Sequence, residues 1–180
     1  MRPWTLLGTA TVPGEGAPLR LMQRGDEFVI MAGTNPLMNS RMSGSEEDLA
    51  TLSWERIAGR PAPHILIGGL GMGFTLRAAL AVMPADVRLT VAEIVPQIVE
   101  WARGPLAHIF AGCLDDPRVA IEIADVGGLI ATRKASYDAI LLDVDNGPEG
   151  LSRDGNDRLY SLAGLAKARA AQYGQSMALA

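Results

Sequence analysis

Apolar and polar positions alternate in short runs over the first thirty or so residues, and the pattern changes character at residue 64. Residues 4–12, 19–23 and 27–32 each read as a strand, separated by turn-forming Pro13-Gly14-Glu15-Gly16 and Arg24-Gly25-Asp26. Residues 33–44, rich in Gly, Asn, Pro, Ser and Met, read as a connecting loop. Ser45 followed by Asp48 is a capping signal for a helix carrying Leu49, Leu52, Ile57 and Ala58, which closes at Gly59 before Pro61.

From residue 64 onward, strand-like and helix-like segments alternate. Strands are predicted at 65–68, 87–93, 119–124 and 137–143, and helices at 74–83, 95–110, 126–134 and 158–173, with 176–179 as one more short strand. Uninterrupted apolar runs such as Ile65-Leu66-Ile67 suit strands covered on both faces. The pattern predicts an α/β fold: a Rossmann-like, doubly wound parallel sheet over 45–180, preceded by a small β meander and loop over 1–44.

Composition changes this picture little. The 180 residues suffice for one main domain, and 48% hydrophobic content with a net charge of −4 and no basic run gives no generic attraction to nucleic acid or to an anionic membrane. Every apolar run is interrupted before about 18 residues, so no membrane span is expected, and Met1-Arg2-Pro3-Trp4 does not open a secretory signal. The single cysteine, Cys113, reads as a small apolar residue, and a cytoplasmic location is expected.

Candidate chemistry sits where the strands end, because ligands of doubly wound sheets bind outside the carboxyl ends of the strands. The first ends in Gly68-Gly69-Leu70-Gly71-Met72-Gly73, a turn that lets a ligand approach the backbone and opens a helix at Phe74. Its Gly-x-Gly-x-Gly spacing fits nicotinamide, flavin and sulfonium-nucleoside sites alike, and no Walker lysine follows it. Glu93, about 20 residues further on, is placed to accept ribose hydroxyls, or else is a solvated strand-end carboxylate. Asp125 beside Val126 suits an adenine amino group and ring, or else Asp125 is the cap of the next helix. Asp143 projects into the crevice, where it could orient or deprotonate an amine, or else be structural. His64 and His108 lie in no cluster at ligand spacing, so no metal site is expected.

Residues 64–165 resemble the spermidine synthase (polyamine aminopropyltransferase) family, close to the class I S-adenosylmethionine-dependent methyltransferases. The resemblance rests on Ile-Leu-Ile-Gly-Gly-Leu-Gly-Met-Gly at 65–73, Val-Ala-Glu-Ile-Val-Pro at 91–96, Ala-Asp at 124–125, Tyr-Asp-Ala-Ile-Leu-Leu-Asp at 137–143 and Leu-Tyr-Ser-Leu-Ala-Gly-Leu at 159–165. It implies a methyltransferase-like fold and transfer of an aminopropyl group to a small-molecule amine. S-adenosylmethionine or its decarboxylated form would be the donor, methylthioadenosine the product, and no metal would take part. Gly68, Gly69, Gly71 and Gly73 would hold the donor's tail, Glu93 its ribose and Asp125 beside Val126 its adenine, with Ile94 also against the donor and Asp143 both donor-binding and the acid–base residue. Asp145, Glu46 and Glu47 are the acceptor candidates, and a homodimer through the meander is implied. The family's usual aspartate in the glycine loop and its gatekeeper tyrosine have no counterpart in residues 68–73 or 43–55. The family also continues through further strands where this chain stops. Methyl transfer to a small molecule and a catalytically degenerate nucleoside-binding module are the alternative functions.

Overall fold

The computed structural model describes residues 2–13, 17–41, 44–144 and 159–172, with only the backbone of 45–47. The opening alternation folds into a four-stranded antiparallel meander of β1 (Thr5–Ala10), β2 (Leu19–Arg24), β3 (Glu27–Ala32) and β4 (Asn35–Asn39). Leu19, Leu21, Phe28 and Ile30 are buried, as period-two patterning requires of a half-covered sheet. β4 corrects the reading of 33–44 as a loop. Gly33 and Thr34 close a two-residue hairpin that pairs Ala32 with Asn35, and Pro36, lacking a donor, is tolerated because β4 is an edge strand.

α1 (Ser45–Ile57) follows, and its N-cap is Gly44 rather than Ser45; the Asp48 N–H donates to the Gly44 carbonyl at 3.3 Å. Beyond it, β5 (His64–Gly68), β6 (Arg88–Glu93), β7 (Val119–Ile123) and β8 (Ala139–Leu142) form a parallel sheet in the order β7-β6-β5-β8. The connecting helices are α2 (Phe74–Val82), α3 (Pro96–Arg103), α4 (Ala107–Phe110) and α5 (Val126–Thr132), with α6 (Leu162–Ala171) after β8. Both faces of this sheet are covered. Ile65 and Ile67 enter the core shared with the meander, whereas Leu66 enters a second cluster with Val126, Ile130 and Ala168.

Two predicted helices end differently from expectation. The helix over 95–110 breaks into α3 and α4, because Pro105 has no N–H to continue the ladder and Gly104 caps α3 with its own N–H on the Trp101 carbonyl at 3.2 Å. In the last helix, Ser161 intervenes as an N-cap, its hydroxyl accepting from the Gly164 N–H at 3.1 Å, so α6 starts at Leu162. The strand expected at 137–143 shortens to 139–142, and Tyr137 makes only a single parallel bridge with Gln172. The strand expected at 176–179 lies outside the described residues.

The two sheets share one core. On β1, where the pairing register shifts between Leu6 and Gly8, a Cβ at Gly8 would stand 2.7 Å from Trp101 Nε1. Trp101, 7% exposed, therefore lies directly on the meander, and its buried cluster runs on to Leu21, Phe28, Ile67 and Val91.

Candidate active site

Parallel register brings the strand ends side by side. Gly68 pairs with Ala92 on one side and Leu142 on the other, and Glu93 pairs with Ile123, so Asp125, Glu93, the glycine turn and Asp143 follow one another along the carboxyl edge. The turn closes tightly against β8: Gly69 has φ 94°, and a Cβ there would lie 2.3 Å from the Asp143 carbonyl oxygen. Gly71 meets the meander instead, since its Cβ would fall 2.7 Å from both the sulfur and the terminal methyl of Met38. Met38 on β4 is half-buried and forms part of the wall beside the turn.

The turn's amides are used within the protein. Gly69 donates to the Ala92 carbonyl at 2.8 Å, Leu70 to Glu93 Oε2 at 3.0 Å and Gly73 to the Leu70 carbonyl at 2.8 Å. A pyrophosphate cradle needs such donors turned toward the ligand. This turn offers close backbone approach with the Gly69, Leu70 and Gly73 donors already engaged.

Glu93 is 5% exposed and takes the Val95 N–H at 2.9 Å as well as that of Leu70. Burial pushes its carboxyl above the usual carboxylate range, opposed by the amides of Val95, Leu70, Gly71 and Ile94. Asp125 is exposed and caps α5, accepting from the Gly127 N–H at 3.1 Å and the Gly128 N–H at 3.2 Å. The capping alternative is thus realised, and it leaves further acceptor capacity on both oxygens. Val126 turns inward: a Cβ at Gly68 would be 2.9 Å from its Cγ2. Ile94, 38% exposed, is the apolar side chain presented beside Glu93.

Asp143 is half-buried, its N–H donating to the Gly68 carbonyl at 2.8 Å. Its Oδ2 accepts the Thr75 hydroxyl at 2.6 Å. Asp145 lies outside the described residues, and Glu46 and Glu47 are described only as backbone in the first turn of α1. Sequence reasoning missed three neighbours of the site: Thr75, Met38 and Leu159, whose Cδ2 would lie 3.2 Å from a Cβ on Gly127. Thr75 had a local signal, a β-branched hydroxyl in the first turn after the glycines. The other two come from segments distant in sequence.

A groove of about 780 Å³ lies elsewhere, lined by Thr51, Phe74, Arg77, Phe110, Cys113 and Asp116 among others. It contains none of the strand-end carboxylates, and burial pushes the Cys113 thiol up to about 11, which leaves it protonated and unreactive at neutral pH. Among the described residues no cluster of His, Cys, Asp and Glu has metal-binding geometry, and no helix is long and apolar enough to cross a membrane.

The chain is similar to polyamine aminopropyltransferases in sequence and to a spermidine synthase in fold. It is 32% identical to the polyamine aminopropyltransferase of Mycobacterium tuberculosis over 111 residues, 59% of this chain and 21% of that protein. With the polyamine aminopropyltransferase of Bacillus subtilis the identity is 35% over 80 residues, 44% of this chain and 28% of the relative. Less than a third of each relative's length is therefore matched. A crystal structure of spermidine synthase in complex with the transition-state analogue AdoDATO superposes with a TM-score of 0.70 at 20% identity, covering 93% of this chain and 52% of that one. That likeness establishes a Rossmann-like, methyltransferase-type fold preceded by an antiparallel meander. No family model matches the chain.

Proposed function

We propose that this chain binds a sulfonium nucleoside, decarboxylated S-adenosylmethionine, at the carboxyl edge of its parallel sheet and transfers the aminopropyl group to a small-molecule amine. The observation that carries this reading is the alignment of Asp125, Glu93 and Asp143 around a turn whose Gly69, Leu70 and Gly73 amides are bonded within the protein. With those three donors turned inward, the turn favours a nucleoside edge over a pyrophosphate. Glu93 would receive the ribose hydroxyls, Asp125 the adenine amino group, Ile94 and Leu159 would supply apolar walls, and Gly69, Gly71 and Gly73 would let the tail pass close to the backbone.

The sulfonium supplies an activated carbon: a carbon–nitrogen bond forms to the acceptor while the carbon–sulfur bond breaks, its electron pair passing to sulfur. Asp143 takes a proton from the acceptor's ammonium, so that a neutral amine makes the attack, and then releases that proton to solvent. Asp143 also favours a donor without a carboxylate, because its own carboxyl is bonded to Thr75 in the first turn of α2, where an amino-acid carboxylate would meet like charge. A second reading keeps the site and changes the reaction, to methyl transfer from S-adenosylmethionine itself, and the absence of any acidic side chain in residues 68–73 favours a third, a catalytically degenerate nucleoside-binding module.

In this proposal residues 45–180 are the nucleoside-binding unit and 1–44 a flanking unit through which a homodimer forms, in the cytoplasm, with Asp145, Glu46 and Glu47 near the acceptor. Product analysis separates the two chemistries: methylthioadenosine marks aminopropyl transfer and S-adenosylhomocysteine marks methyl transfer. Asp143→Asn is expected to lower kcat about a hundredfold or more while binding of methylthioadenosine, measured by calorimetry, is retained. Failure of decarboxylated S-adenosylmethionine, S-adenosylmethionine and methylthioadenosine all to bind would overturn the reading.

A further inference from the structure

We infer that Thr75 is the positioning residue for Asp143, holding the plane of its carboxylate so that it meets the acceptor amine in one orientation; the inference rests on the function proposed above. Thr75 is 2% exposed and is the second residue of α2. A buried hydroxyl needs a partner, and in the first turn of a helix the usual back-bond to a carbonyl of the preceding turn is missing. Thr75 instead donates across the sheet edge to Asp143 Oδ2 at 2.6 Å, a partner 68 residues away in sequence. That separation is in the range of an O–H bond to an ionised carboxylate, the stronger kind of hydrogen bond.

Asp143 is anchored through both main chain and side chain. Its main chain is fixed to β5 through the Gly68 carbonyl at 2.8 Å, and its side chain to α2 through Thr75. A carboxylate on a free strand end rotates about its last torsion, and each wrong orientation moves the accepting oxygen away from the reacting nitrogen. With Oδ2 tied to a buried helix position, that rotation is suppressed. The helix is itself seated: a Cβ at Gly73, the N-cap of α2, would lie 2.5 Å from the Phe110 ring, so the first turn of α2 is wedged in place. Thr75 touches neither donor nor acceptor in this scheme; it acts through Asp143.

The test uses the purified 180-residue chain with decarboxylated S-adenosylmethionine and an acceptor diamine, together with calorimetry of methylthioadenosine. Thr75→Val keeps the shape and removes the donor; its kcat is expected to fall about tenfold to a hundredfold, the effect of a small misplacement, with the donor KM and methylthioadenosine affinity unchanged. Thr75→Ser restores the hydroxyl and most of kcat. In an Asp143→Asn background, Thr75→Val adds no further loss, because residues acting as one unit are not additive. Should the valine variant not fold, Thr75→Ala is read in the same way.

Wild-type kcat in Thr75→Val, a parallel loss of nucleoside affinity, or a full additional loss in the Asp143→Asn background would each overturn the inference. A wild-type chain that binds nucleoside but transfers no aminopropyl group overturns the proposed function and this inference together. An active wild type with an indifferent Thr75→Val overturns this inference alone.

Discussion

At the scale of single residues, Glu93 is pulled in opposite directions. Burial favours its neutral acid and shifts it upward, while the strand-end amides favour the carboxylate. Because the folded value lies above the ordinary one, the native state holds the proton more firmly than the unfolded chain, and Glu93 costs stability as pH rises through and beyond the ordinary carboxylate value. Two ribose hydroxyls donating to it would favour the carboxylate further, so nucleoside binding would oppose the upward shift that burial causes. Methylthioadenosine affinity is therefore expected to weaken as pH falls toward that raised value, measured by calorimetry from about pH 8 to about pH 5. Glu93→Gln should flatten this dependence and weaken binding about tenfold or more, the worth of a hydrogen bond to a charged group. A pH-independent affinity in the wild type would place the ribose elsewhere.

At the scale of elements, the glycine turn has two positions that tolerate a side chain unequally. At Gly69 the obstacle is the Asp143 carbonyl, backbone that β8 holds in register, so Gly69→Ala is expected to cost about 3 kcal/mol or more and to disturb the Asp143 strand end. At Gly71 the obstacle is the far end of Met38, which can swing, and Gly71→Ala should cost only the left-handed penalty of about 1–2 kcal/mol. Urea unfolding of the two variants checks the order. The turn, its flanking strand and helix, and the strand-end acids were readable from sequence because each is a local pattern: an apolar run, glycines at fixed spacing, an acid at the end of β6, β7 and β8. What was not readable depends on pairing. β4 looked like a loop because Pro36 and Asn35 are poor strand formers, and it becomes a strand through its ladder with β3. The sequence leaves Asp125 open to an adenine or a helix cap, and the Gly127 and Gly128 N–H groups, which show that it caps α5, are visible only in the fold. The Thr75 partnership joins two segments that only the parallel sheet brings together.

At the scale of the whole molecule, the core runs from the meander into the parallel sheet, so the two are expected to unfold as one cooperative body. Trp101 is its bridge, so Trp101→Ala is expected to cost about 3–5 kcal/mol, the usual loss for a large buried aromatic. It should also separate the unfolding of the two sheets, seen as non-coincident transitions by circular dichroism and by fluorescence of the remaining tryptophans, where the wild type shows one. The same continuity carries Met38 to the glycine turn, and a thioether in that place has a chemistry of its own. Peroxide converts it to a sulfoxide at a rate set by access, so a tail lying along Gly71 would shield the sulfur. The extent of Met38 oxidation, read by peptide mass, would then report how full the turn is in any extract or ligand mixture, without a label and without knowing the acceptor.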